Sequence, residues 1–155
     1  HMWLPVQGLV SEETYFLESS PYNTVTAPGD SLESITVTAY QYRDNSLYTE
    51  ASRGFMPDGS IVPQLAAPGV QIRVPQLNGL YGFSSGTSLG AAQTAGAAAL
   101  LFEWAVVRGN RPFFSGSSVK NYLIRGANRE ERLQYPSRDW GFGRLDLYHT
   151  FELLT

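Results

Sequence analysis

The sequence predicts an α/β fold, and three stretches carry that prediction. Ile35, Thr36, Val37, Thr38 and Ala39 form a β-branched run suited to a buried strand. Pro63 and Pro68 enclose a short apolar segment whose composition excludes helix and favours an extended strand leading to a tight turn at Pro68-Gly69. From Thr87 to about Val107 no proline interrupts, and Leu89, Ala92, Gly96, Ala99, Leu100 and Trp104 recur at roughly helical spacing.

Taken in order, the chain opens on His1-Met2, which reads as the remnant of a cloned tag and is set apart from the fold. Trp3 to Thr26 mixes apolar and polar residues between the breakers Pro5 and Pro21, and reads as irregular chain or short antiparallel strands. A turn at Pro28-Gly29 then leads into the β-branched run. Between Gln41 and Pro63 the charges, Gly54, Pro57 and Gly59 predict surface loops, with Ser46 to Tyr48 and Ser60 to Val62 as short extended pieces and one edge strand. Another loop is expected through Asn78 and Gly82.

The helix that follows has small residues on every side of its first half. Gly90 and Gly96 would each cost about 1 kcal/mol against alanine, so close packing in the middle of the fold is the expected compensation. "FSGSSVKNYLIRGA" gives a Ser-capped helix carrying Val119, Tyr122 and Leu123 and stopping near Gly126. "DWGFGRLDLYHTFELL" turns at Gly141 and Gly143 and ends in a helix expected to face Leu145, Tyr148 and Phe151 or Leu153 inward.

Composition narrows the function. The chain has 155 residues, 43% of them hydrophobic, enough for one sizeable core and without the signature of disorder. Its formal net charge is -3 and its eleven basic residues are scattered, so no nucleic-acid partner is expected. It has no cysteine, which excludes disulfides, thiol catalysis and zinc thiolate sites. The most apolar run, Ala95 to Trp104, is too short and too alanine-rich to predict a membrane span.

Ser88 opens the long helix, where a hydroxyl more often caps backbone N–H groups than attacks anything. An attacking serine needs a base, normally a histidine held by a carboxylate. His1 belongs to the apparent tag and His149 to the last helix, so neither is a persuasive base. Asp30, Asp44, Asp58, Asp139 and Asp146 read as turn or surface carboxylates, and no pair has metal-ligand spacing, so neither metal nor cofactor is expected. Asn23, Asn45 and Asn78 suit loop conformations better than an oxyanion, and the glycine pairs at Gly79 and Gly82 and at Gly141 and Gly143 lack what a nucleotide site requires.

The residues also resemble a family. "GTSLGAAQTAGAAALL", Gly86 to Leu101, resembles the stretch around the nucleophilic serine of subtilisin-like serine proteases, with Ser88 on the nucleophile. "SITVTAY", "PQLAAPGVQI" and "WGFGRLDLYHTF" are similar to further segments of that family in the same order, covering roughly Pro28 to Thr155. "ITVTAYQYRDNSLY", "SRGF", "LLFEWAVVRGNRP" and "YPSRDWGFG" look like the Csp-type subtilases of clostridia, the germination-protease-like members in which a jelly-roll domain interrupts the protease. Ala92 and Gln93 depart from the family's usual proline and histidine, and Val62 and Gln64 from its lysine and aspartate around Pro63.

That resemblance implies the C-terminal portion of a parallel-sheet domain with a central buried helix starting at Ser88. It implies residues 28–155 as subtilase and 3–27 as the end of an inserted β region rejoining it. Ser88 would be the nucleophile, and Ser84, Ser85, Gly86 and Thr87 would line the substrate cleft. The family's aspartate, histidine and oxyanion asparagine precede the matching part, so the chain alone is expected to be inactive, with the upstream half of its own domain as partner and a protein or peptide as substrate. Exposed sheet edges would invite self-association, and an extracellular, cell-envelope or spore setting fits such a protein. The alternative is a pseudoprotease that binds a partner or signal, with Ser88 kept as a cap.

Overall fold

Branching at Cβ stiffens χ1 and favours extended backbone, in keeping with the first strand: β1 is Val37–Tyr40 and pairs in parallel with β2, Leu65–Pro68, in register Val37 to Leu65 through Tyr40 to Pro68. Both strands are almost wholly buried. These relations come from a computed structural model that describes residues 2, 4 and 8–154. His1 of the expected tag remnant, and Trp3 and residues 5–7 of the expected inserted region, lie outside the described residues.

The sheet continues beyond β2 without further long strands. Phe142 donates its N–H to Gln64, Ala66 donates to Gly143, and Leu145 donates to Ala66, all at 2.7–2.9 Å, so residues 142–145 run alongside β2. Asn128 and Arg144 then exchange two backbone bonds. Glycine is required where this segment docks, because Gly141 has φ +57° and a Cβ there would overlap the Gln64 backbone.

β3, Ile72–Pro75, and β4, Tyr81–Ser84, form an antiparallel hairpin. The expected loop through Asn78 and Gly82 is therefore corrected. Asn78 at φ 60° and Gly79 at φ 71° supply the two positive values that a tight hairpin turn needs. The described part of the first 26 residues is irregular, with turns and one isolated parallel bridge, Tyr22 to Arg53, which is the first of the two alternatives read from the sequence. Ser60 to Val62 forms no strand either, whereas Leu47 does bridge to Tyr40.

Helix α1, Thr87–Phe102, lies on β1 and β2 and continues through a wider π-type turn to Val107. It buries Gly90, Thr94, Ala97 and Leu101, with Ala105 following on the same side. Of the two glycines expected to pack closely, Gly90 lies against the sheet, where a Cβ would stand 3.4 Å from the carbonyl oxygens of Ala67 and Thr38. Gly96 is exposed, with nothing among the described residues within 4 Å of a Cβ, so that half of the expectation is corrected. The periodic set read from the sequence is not the buried one, since Ala92, Gly96, Ala99 and Leu100 are exposed. Alanine and glycine differ too little in hydrophobicity to mark which face turns inward. The 21 residues from Thr87 to Val107 are also longer than the apolar run read from the sequence, and they are long and apolar enough to cross a membrane by length and composition only. Only one side of this stretch, Gly90, Thr94, Ala97, Leu101 and Ala105, is buried.

Helices α2, Gly116–Gly126, and α3, Leu147–Glu152, close the core. Leu65, Ala97, Leu101, Ala105, Phe114, Val119, Leu123 and Ala127 form it, and fully buried leucines such as Leu101 and Leu123 contribute about 1.5–3 kcal/mol each. Ser115 caps α2 by accepting the Ser118 N–H, as the sequence predicts, and Asp146 caps α3 by accepting the His149 N–H. Tyr148 is exposed, contrary to expectation, while of the pair Phe151 or Leu153 it is Phe151 that packs on the core, and Thr150 is the fully buried residue of α3. The reason is Gly126: a Cβ there would overlap the Thr150 backbone, so α3 seats its threonine in the gap glycine leaves.

Candidate functional site

The site is built where the start of α1 meets the ends of β1 and β2. The turn after β2 brings Gly69 under the helix, where Gly69 donates to the Tyr40 carbonyl at 3.0 Å and accepts the Gly86 N–H at 2.8 Å. Gly69 needs glycine for room, and at Gly86 any Cβ would crowd the Ser88 hydroxyl. A Cβ on Gly69 would fall 2.6 Å from the Ala39 Cβ and 2.8 Å from the Gly86 oxygen, and one on Gly86 would stand 3.2 Å from the Ser88 Oγ. Gly86 stands in the sequence motif, whereas Gly69 reads from the sequence as a turn residue after Pro68 and its contact with the helix start is not visible there.

Gly86 is the N-cap of α1 and no side chain caps it. The cap reading of Ser88 is therefore corrected: Thr87 and Ser88 are the first two helical residues, too late in the turn to fill the N-cap role. Ser88 is exposed, and among the described residues its hydroxyl makes no hydrogen bond. The first N–H groups of a helix have no internal acceptor, and no acidic residue occupies the first turn of α1 to offset its positive end. A free hydroxyl beside unpaired N–H donors suits attack on a carbonyl whose oxygen becomes negative.

The neighbouring residues expected at the cleft converge on the same place. Ser84 ends β4 and is exposed, and Ser85 accepts the Gln71 N–H through its Oγ at 2.9 Å, which fastens the hairpin beside the helix start. The hairpin itself stands outward, with Leu77, Leu80, Tyr81 and Phe83 all exposed.

No base accompanies Ser88 among the described residues. The His149 Nδ1 lies 3.1 Å from the Gly126 carbonyl in the α2 and α3 layer. Phe151 of the same helix packs edge-on against Trp104, which lies about 24 Å along the axis from Ser88 at 1.5 Å per residue. Tyr40 ends β1, but burial pushes its phenol above the ordinary value, Arg144 offsetting part of the effect, so it is protonated at neutral pH. Among the described residues no three His, Asp or Glu side chains are grouped to hold a metal.

The other polar residues fill conformational roles. Asp44 accepts the N–H and hydroxyl of Ser46, Asp58 those of Ser60, and Asp139 pairs with Arg53 at 3.3 Å. Asn23, Asn45 and Asn78 all have positive φ, between 58° and 60°.

Residues 17–143 match the Peptidase S8 profile, described as the subtilase family. The structure of the Clostridium perfringens CspB protease is similar at TM-score 0.87 and 40% identity, covering 91% of this chain and 31% of that one. The prenylagaramide maturation protease PagA is similar at TM-score 0.71 and 24% identity, over 87% of this chain and 47% of that one. The patellamide maturation protease PatA gives TM-score 0.69 and 24% identity, over 86% and 47%. The last two likenesses speak for the fold alone. The chain spans less than half the length of each of these three structures. A search of curated proteins found no match.

Proposed function

The chain belongs to the subtilase family of serine proteases, and on that premise we propose that it supplies the nucleophile, Ser88, to an endopeptidase domain whose other catalytic groups precede it in a longer polypeptide. The single observation that carries this reading is the Ser88 hydroxyl, exposed and uncapped at the start of α1.

In this reading the Ser88 Oγ attacks the carbonyl carbon of a peptide bond and its proton passes to a histidine outside the chain. The oxyanion so formed is held by the Ser88 N–H together with a donor from the upstream half. The amine leaves with the proton the histidine took, and water then hydrolyses the acyl-serine. Ser84, Ser85, Gly86 and Thr87 line the cleft in which the peptide lies. Removing the base from such a triad costs about a millionfold in turnover, so the chain alone is inactive.

The upstream half of the domain is the natural partner of α1. Ala91, Ala92, Ala95, Gly96 and Ala99 leave one face of that helix exposed, and nothing in the described residues stands within 4 Å of a Cβ at Gly96. Residues 3–27 are where an inserted β region returns to the protease. Thr24, donating to the Arg53 carbonyl at 3.0 Å, ties that return to the body.

Fluorophosphonate labelling of the complete parent, with adducts located by mass spectrometry and Ser88→Ala as control, tests the assignment. An adduct on Ser88 that the control lacks is expected. A folded parent that does not label would overturn it and turn the search to a pseudoprotease partner.

A further inference from the structure

The end of α1 remote from Ser88 carries a second surface, and it is independent of the catalytic reading. After the π-type turn the chain loops through Arg111, Pro112 and Phe113 to the start of α2. With Phe114, Ser118 and Tyr122 these residues line a groove of about 320 Å³. Its floor is aromatic: Phe114 stacks on Tyr122 at 5.7 Å and 23°, and Phe102 meets Phe114 edge-on at 5.9 Å. At its rim Phe113 is 99% exposed, a whole phenyl ring in water.

The charge here is one-sided. The Cζ atoms of Arg111 and Arg125 lie 5.6 and 5.8 Å from the centre of the Tyr122 ring. The ion pairs among the described residues join Arg53 to Asp139, Arg108 to Glu103 and Arg144 to Glu130, so neither of these two guanidiniums has a carboxylate. No acidic residue lies in the first turn of α2 either. The loop is held in place before anything binds: Asn110 Nδ2 donates to the Trp104 carbonyl at 2.8 Å, Arg111 N–H to Ala105 at 2.7 Å, and Phe114 N–H to Arg111 at 3.1 Å.

We propose that this groove docks a protein segment carrying an acidic residue next to a large apolar side chain, the carboxylate at the Arg111 guanidinium and the apolar group against Phe113 and Tyr122, with Arg125 adding positive charge beyond the groove's lining. Arginine and aromatic side chains on a rigid loop are the residues through which protein surfaces gain most of their binding energy, and preorganisation lowers the ordering cost. Unbalanced positive charge selects the acidic partner over a neutral one.

The test measures fluorescence anisotropy of a labelled peptide, Glu-Leu-Glu-Phe-Glu, against the full chain, beside Gln-Leu-Gln-Phe-Gln. Saturable binding is expected for the first and about tenfold weaker binding for the second, as loss of one hot-spot contact implies. Arg111→Gln and Phe113→Ser, both at exposed positions, are each expected to weaken the acidic peptide about tenfold without changing the near-ultraviolet circular dichroism. Equal affinity for the two peptides, undiminished binding to both variants, or no saturable binding overturns the proposal. So does a dimer in sedimentation equilibrium that Phe113→Ser dissolves, because a second copy then occupies the groove.

Discussion

Gln64 and Thr36 are joined twice ahead of the β1 and β2 ladder: the Gln64 Oε1 accepts the Thr36 N–H at 2.6 Å, and the Gln64 N–H donates to the Thr36 carbonyl at 2.8 Å. The Gln64 Nε2 donates to Ile61 at 3.2 Å, so this buried amide uses its oxygen and its nitrogen in opposite directions. Gln64→Ala leaves the Thr36 N–H unpaired, and the expected loss is about 1–3 kcal/mol, read as a lower urea midpoint. Gln64→Glu separates acceptor from donor. Its carboxylate would face the Ile61 carbonyl, so the folded state favours the protonated form and raises the pKa above the unfolded value. The folded state then binds more protons, and stability falls as pH rises from that unfolded value, about 4.3, through the raised one. The variant is expected near the parent chain at low pH and clearly weaker at neutral pH. A flat difference across that range would show that the amide oxygen alone matters.

Ser88 and Ser115 test what a serine at a helix start is for. Ser115 accepts the Ser118 N–H at 3.3 Å and is the true cap of α2, whereas Ser88 lies inside the first turn of α1 with no such bond. Ser115→Ala is expected to cost about 1 kcal/mol and Ser88→Ala to leave stability unchanged within about 0.5 kcal/mol. Equal losses in thermal or urea unfolding would restore the cap as the role of Ser88.

The contrast between these serines also marks how far the sequence was legible. Strand β1 and helix α2 were legible because β-branched Thr36 to Thr38 and the Ser115 cap with Val119 and Leu123 each state their structure locally. The β3 and β4 hairpin was missed although Asn78-Gly79, a strong two-residue turn signal, stood between Val74 and Tyr81. The inward face of α1 could not be read, since alanine and glycine give no contrast and only the approach of Ala67 and Thr38 to Gly90 decides it. Of the candidate site, Ser88 and its neighbours were visible as a motif, but the Gly69 contact with Gly86 exists only in three dimensions.

Two aspartates in similar turns differ in what lowers their pKa. Both lie below the ordinary 3.8, Asp58 first through the Ser60 hydroxyl and Asp44 first through the Ser46 backbone N–H. Because both are depressed, their contribution to stability is present above that ordinary value and is lost as pH falls through the lowered one. Ser60→Ala removes the leading cause for Asp58, while Ser46→Ala leaves the leading cause for Asp44 in place. Carboxyl titration by NMR is expected to show the larger rise at Asp58. The reverse order would assign the shifts to something other than these serines.

Gly96 offers opposite results in the chain and in the longer protein proposed to contain it. Within the described residues nothing lies within 4 Å of a Cβ at this position, so Gly96→Ala meets no clash and reduces the freedom of the unfolded chain. A gain of about 0.5–1 kcal/mol is expected for the isolated chain, read as a higher urea midpoint. In the complete parent an upstream half packed against Ala92, Gly96 and Ala99 turns the same face into a close contact. Gly96→Leu is then expected to cost about 1–3 kcal/mol by overpacking, with little penalty in the isolated chain. A leucine tolerated equally in both would mean that the parent leaves this face of α1 open, and the upstream half would have to meet the chain elsewhere.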